Sequence, residues 1–124
     1  MKQIAKVLTI TFFIGFVLSS CKKDKAIQQE VNKPPVANAG FERVIILPED
    51  RVVLSGSGTD ADGYIISYEW RYVSGPSSFT FINAASATAT VKDMVRGIYE
   101  FELKVTDNSM LFHTDRVDVL VLDS

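Results

Sequence analysis

One cysteine, one histidine and one tryptophan stand among 124 residues. A single cysteine excludes an intramolecular disulfide, the device by which many small exported domains are stabilised. The single histidine, His113, leaves little for general-base chemistry. It lies on an alternating segment beside Asp115, no Gly-x-Ser-x-Gly is present, and spacing places no nucleophile next to it. Glu100 and Glu102 alternate with apolar residues and are expected to face solvent, so neither is the carboxyl in an apolar pocket that glycoside hydrolysis requires. The chain therefore reads as a non-enzyme. Positive charge is scarce as well, with 13 Lys and Arg against 15 Asp and Glu. That balance argues against a nucleic-acid partner, which leans on clustered basic residues. Helical periodicity is missing after residue 33, and the length leaves room for one domain.

What is present begins with an export signal. Lys2 and Lys6 precede an uncharged run from Val7 to Val17. Eleven residues rise about 16 Å as a helix, roughly half a bilayer core, so the run suits a signal peptide and not a membrane span. Leu18-Ser19-Ser20-Cys21 follows. This string resembles the bacterial lipobox, in which small residues fit the peptidase and the cysteine thiolate takes the diacylglycerol. Residues 1–20 are then a cleaved signal peptide and Cys21 the lipidated N-terminus. Several acyl chains, at ~0.8 kcal/mol per buried CH₂, hold a protein stably at a membrane. Loss of Lys2 and Lys6 leaves 11 basic and 15 acidic side chains, a formal charge of −4. Residues 21–33 are polar and lack an apolar period, which predicts a flexible tether.

Pro34-Pro35 marks the domain boundary, and residues 34–124 read as one domain. Beyond it the period is two. Strands are expected over 44–47, 51–55, 65–74, 79–82, 87–92, 97–107 and 112–122. Ile66, Tyr68, Trp70 and Tyr72 share one face of the third strand. Tyr99, Phe101, Leu103 and Val105 share a face of the sixth, and Val117, Val119 and Val121 a face of the last. Turn residues separate them at intervals of about ten. Seven alternating strands in some 90 residues predict an all-β, immunoglobulin-like Greek-key β-sandwich.

Several segments, in this order, carry a family likeness: Pro35-Val36-Ala37-Asn38-Ala39-Gly40, Leu54-Ser55-Gly56-Ser57-Gly58-Thr59-Asp60-Ala61-Asp62-Gly63, Ile65 through Trp70, Val73-Ser74-Gly75-Pro76, and Gly97 through Asn108. Together the chain resembles a PKD (polycystic kidney disease repeat) domain, in the variant found on bacterial surface proteins. The likeness spans about residues 35–122. It departs from the common pattern at two places: Trp70 is followed by Arg71-Tyr72 where many repeats have Asp-Phe-Gly-Asp-Gly, and Gly40-Phe41-Glu42 replaces Gly-Pro-Asp. The resemblance implies a β-sandwich serving as a recognition module or a spacer, with Ca²⁺ bound at one end in some relatives.

Thr59-Asp60-Ala61-Asp62-Gly63 is the segment of most chemical interest. Carboxylates two apart with a following glycine suit part of a Ca²⁺ loop, since hard cations take several oxygens on a sharply turning chain. Asp107 and Asn38 lie where a sandwich could bring them beside it. The same aspartates also suit a plain turn, because Asp caps its own backbone. Gly56-Ser57-Gly58 lacks the Lys and helix of a phosphate loop and instead suits a bulge. Trp70 with Tyr68 and Tyr72 is expected in the core, not on a sugar platform. Met110, Leu111 and Phe112 in the last turn, and Leu120, outward by parity, have no core role and are candidate interface residues. The expectation is thus a lipid-anchored envelope protein, at the outer membrane, whose domain binds glycan or protein; a structural spacer without a ligand is the alternative.

Overall fold

Gly97–Asp107 forms the strand around which the domain is assembled, and its composition explains why. Tyr99, Phe101, Leu103 and Val105 alternate with Ile98, Glu100, Glu102 and Lys104, so a pleated strand carries one wholly apolar face. The computed structural model describes residues 30–124, and Asn32–Ser124 form one compact unit. Nine strands run in chain order: β1 Val36–Asn38, β2 Arg43–Ile46, β3 Val52–Ser55, β4 Ser57–Thr59, β5 Ile65–Ser74, β6 Thr80–Ile82, β7 Thr88–Lys92, β8 Gly97–Asp107 and β9 Phe112–Leu122. Four of them make one sheet in the order β2-β9-β8-β5; the others form β3-β7-β6 and the short pair β1-β4. The all-β sandwich is as expected. Two strands, β1 and β4, are additional to the seven.

The core lies between the sheets. Tyr99, Phe101, Leu103 and Val105 meet Trp70 of β5 and Val117, Val119 and Val121 of β9 on one side, and Val52, Leu54, Ala89 and Val91 on the other. Each fully buried side chain of this kind stabilises by about 1.5–3 kcal/mol. Trp70 is buried, and its Nε1–H donates to the Ala87 carbonyl at 3.1 Å. Rings of Tyr72, Phe79, Phe81, Tyr99 and Phe101 pack with centroids 4.9–6.2 Å apart. The sheets come so close at the β3–β4 junction that only glycine fits. A Cβ on Gly56 would stand 2.5 Å from Leu103 Cδ2 and 2.9 Å from Trp70 Cζ2. Close approach, more than turning, is the reason for glycine there.

Strand β1 joins the two layers. One edge pairs with β4, Val36 opposite Thr59 and Asn38 opposite Ser57. The other edge is satisfied by side chains of β9: Ala37 N–H donates to His113 Nδ1 and Ala39 N–H to Asp115 Oδ2, each at 2.8 Å. His113 and Asp115 therefore hold a strand and are not oriented toward each other as a catalytic pair.

Two expectations are corrected on the outer face of the four-stranded sheet. Ile66 leaves the inner row of β5, because a register irregularity between Ile65 and Ser67 turns it outward. Glu102 does point away from the core, yet it is only 6% exposed. Arg71 on β5 and Arg116 on β9 flank it, donating from Nε to its two oxygens at 2.6 and 3.1 Å. Burial alone would raise its pKa. Hydrogen bonds from Arg71 and Arg116, with their positive charge, outweigh that and hold the carboxyl below its ordinary value of 4.5. A depressed carboxyl stabilises the fold above its unfolded pKa and loses that contribution as pH falls through the folded one. Glu102→Gln is expected to cost about 1–3 kcal/mol at pH 7, the scale of hydrogen bonds to charged groups. It should also flatten the loss of stability below pH 4.5. Urea unfolding of both proteins at pH 7 and pH 3 measures this; equal midpoints at pH 7 would show that the arginines contribute nothing through Glu102.

Candidate functional site

The ends of β4, β5, β8 and β9 converge at one tip of the sandwich. Asp60 follows β4, Asp62 lies in the turn that leads to β5, and Asp107 closes β8. Antiparallel pairing of Ile65 with Asp107 brings the two turns together. Asp107 is 1% exposed. Its Oδ1 accepts from Ser109 N–H and Leu111 N–H at 2.8 and 2.9 Å, which shapes the turn into β9. Its Oδ2 is buried with no partner, as is Asp60 Oδ1. Burial raises the Asp60 pKa above its ordinary value, and the negative charges of Asp107 and Asp62 raise it further, against a lowering hydrogen bond from the Asp62 backbone. Asp62 Oδ2 accepts from Lys33 N–H at 2.8 Å, so the segment entering β1 is fixed to the acidic turn.

Asn108 completes the cluster. Its Oδ1 accepts from Tyr64 N–H at 3.0 Å, and Asn108 N–H donates to the Tyr64 carbonyl. Gly63 lies against it: a Cβ there would collide with Asn108 Oδ1 and come within 2.8 Å of Asp60 Oδ2. Asn38 does not join. Its place opposite Ser57 sets it well along β1 from the tip, and its Oδ1 accepts from Gly40 N–H at 2.8 Å. The pairing of β1 with β4 fixes this, and β1 is too short to announce itself by periodicity. Asn38 instead lines an open groove of ≈ 350 Å³ with Phe41, Arg43, Ser55 and Ser57, where Arg43 Nη1 donates to the Val53 carbonyl at 2.6 Å.

Two unpartnered carboxylate oxygens suit a hard cation in kind. In arrangement the fit is partial: among the described residues no three His, Cys, Asp or Glu side chains are spaced to hold a metal ion as they stand. Backbone carbonyls or waters would have to supply most of the shell. Around the acids the tip is apolar. Met110 and Phe112 are 70% and 56% exposed, Tyr64 and Ile66 stand out beside them, and Lys104 Nζ lies 4.4 Å above the Phe112 ring. Leu111 is half-buried, drawn in by its backbone bonds to Asp107. Tyr64 and Asn108 could have been found from their turn-forming neighbours; nothing in the pattern marked Ile66. Cys21 and the signal peptide lie outside the described residues.

Comparison with known proteins agrees with the β-sandwich fold. The family model described as "K319L-like, PKD domain" matches residues 39–121. The human "Dyslexia-associated protein KIAA0319" is 39% identical over 95 residues, 77% of this chain and 9% of that protein. "Collagenase ColA" of Clostridium perfringens is 30% identical over 107 residues, 86% of this chain and again 9% of the relative. The chain thus spans about a tenth of the length of these relatives. Among solved structures, the PKD domain from KIAA 1837 protein superposes with a TM-score of 0.67 at 34% identity, covering 78% of this chain and 94% of that domain. The likeness to a PKD domain, though not to its bacterial surface variant, is therefore a family membership: this chain belongs to the PKD domains of the K319L-like family.

Proposed function

We propose that the chain is a lipid-anchored, non-catalytic recognition module of the cell envelope, held at the outer membrane through Cys21, whose PKD domain contacts a glycan or a protein. The observation that carries this reading is the tip, where Tyr64, Ile66, Met110 and Phe112 are exposed around an acidic centre. Apolar and aromatic side chains in solvent on loops of a rigid sandwich are what recognition surfaces use. A spacer without a ligand is the second reading, supported by the small share of the relatives' length that this domain makes up. The test is capture of the full-length protein from membranes with mass spectrometry of what accompanies it, repeated for Met110→Ser with Phe112→Ser. A partner lost in the double variant supports recognition at the tip. No partner supports the spacer, and a partner retained in full by the variant removes the tip from the reading.

The anchor rests on Leu18-Ser19-Ser20-Cys21 after its apolar run. Cys21→Ala is expected to abolish labelling by radioactive palmitate and to leave an uncleaved or mislocalised chain. Equal labelling of the variant would remove lipidation from the reading.

For the acidic centre the proposed ligand is a single Ca²⁺ on Asp60 and Asp107, with Asp62 alongside. Its role is to neutralise three carboxylates crowded at one tip. A loop site with so few carboxylates binds at ~10⁻⁴–10⁻³ M. At 1 mM it would add about 0.4–1.4 kcal/mol. Millimolar Ca²⁺ should raise the melting temperature over that in EGTA. Asp60→Asn should melt higher than wild type in EGTA, because it removes repulsion, and should respond less to Ca²⁺. Identical wild-type curves in both buffers would leave the acids as turn formers alone.

A further inference from the structure

One long side of the sandwich is bounded by β2 and β3, the edge strands of the four-stranded and three-stranded sheets. Arg43 on β2 shares the parity of Ile45, which packs against the core, so its side chain reaches across that side. There its Nη1–H donates to the Val53 carbonyl at 2.6 Å. The groove of ≈ 350 Å³ lies beside this bridge, walled by Asn38, Phe41, Arg43, Ser55 and Ser57 over buried Ala39 and Leu54. Its loop is held in place. Asn38 Oδ1 accepts from Gly40 N–H at 2.8 Å, and Gly40, at φ of 87°, lies so near β3 that a Cβ would stand 3.2 Å from the Ser55 carbonyl. Phe41 follows this turn, is 90% exposed and takes no part in the core.

The lining selects the chemistry of an occupant. Arg71, Arg96 and Arg116 are each paired with a carboxylate, whereas among the described residues no ion pair involves Arg43. No acid lines the groove, and Glu42, between Phe41 and Arg43 in the chain, is not in its wall. A guanidinium carries five N–H donors in a fork that matches a carboxylate. One of them meets Val53. Asn38 adds an amide NH₂, Ser55 and Ser57 add hydroxyls, and Phe41 adds an exposed ring face. Such a set suits an acceptor-rich anion with a flat side, which is what a sugar ring bearing a carboxylate presents. A peptide strand fits less well. Val52, Leu54 and Gly56 turn their backbone groups to β7 and its approach, which leaves those of Val53 and Ser55 on the open side. The Val53 carbonyl is taken by Arg43, and the backbone at Gly40 covers that of Ser55. An added strand needs donors and acceptors in alternation, and this edge has no free acceptor to offer it.

We infer that this groove binds a carboxylated sugar residue of an acidic glycan. The Arg43 guanidinium takes the carboxylate, the Phe41 ring lies against the apolar face of the sugar, and the Asn38 amide with the Ser55 and Ser57 hydroxyls takes the ring oxygens. The groove uses no residue of the acidic tip and requires neither Ca²⁺ nor the lipid anchor. An open groove leaves one side of the ligand in solvent, so a single site binds weakly, at ~0.1–1 mM. Because the charge pair is exposed, salt weakens it further.

Calorimetric titration of the purified full-length chain in detergent with oligomers of galacturonate and of mannuronate, up to about 10 mM, tests this. At least one of the two is expected to bind, and its methyl ester, which keeps the ring and removes the charge, should bind about tenfold more weakly or not at all. Arg43→Gln should weaken binding about tenfold, the loss of one charge-assisted contact. Phe41→Ala should weaken it several-fold with melting unchanged, since that ring is in solvent. Met110→Ser with Phe112→Ser should bind as the wild type does, which separates the groove from the tip. No binding of either oligomer, equal binding of the ester, or indifference to Phe41→Ala and Arg43→Gln would each overturn the inference. So would binding lost in the tip variant, or a glutamate-rich peptide held by the groove as tightly as the sugars.

Discussion

Every layer of this domain is built on β8. It is bonded along most of its eleven residues on both edges, to β5 and to β9, and it is closed on both faces over its centre. On the inner side Tyr99, Phe101, Leu103 and Val105 exclude water completely. On the outer side two arginines close over Glu102, from strands that reach it only because the register is right. A one-residue slip would place the core row in solvent and a carboxylate among aromatics. The ion-paired face therefore specifies the same register that the apolar face demands. Without a disulfide among the described residues, this double constraint does the work of holding the sheet together.

Much of the fold was legible in the residues, and what was not has physical causes. Long strands with clean alternation, β5, β8 and β9, have the bounds that their patterns predict. Strands β1 and β4 are three residues each, too short for a period of two to show. Ile66 shares the parity of Tyr68, Trp70 and Tyr72, and only a local irregularity in pairing turns it outward. Burial of Glu102 depends on Arg71 and Arg116, which lie 31 and 14 residues away in the chain. No linear pattern contains that neighbourhood.

The tip shows the same division. Asp60, Asp62 and Asp107 could be grouped because a sandwich must return its turns to one end, and they do meet. Asn38 was grouped with them by the same topology, but its position depends on how β1 pairs with β4. Asn108 sits one residue beyond a residue that was singled out, and its bonds are to Tyr64, 44 residues away in the chain. Charge and turn chemistry are local and can be read along a chain; convergence is not.

The attachment of β1 bears on how the domain carries load. The chain enters beside the acidic turn, where Lys33 N–H meets Asp62, and then runs along the sandwich as β1. Tension applied to the N-terminal side along the strand axis acts parallel to β1. Its bonds to β4, to His113 and to Asp115 lie across that direction and are stretched together. Bonds loaded in shear must fail nearly at once, whereas bonds opened from one end fail singly. A three-residue strand stitched on both edges is in this sense a mechanical clamp, and the rate of its forced release is set by the barrier to unfolding, not by equilibrium stability.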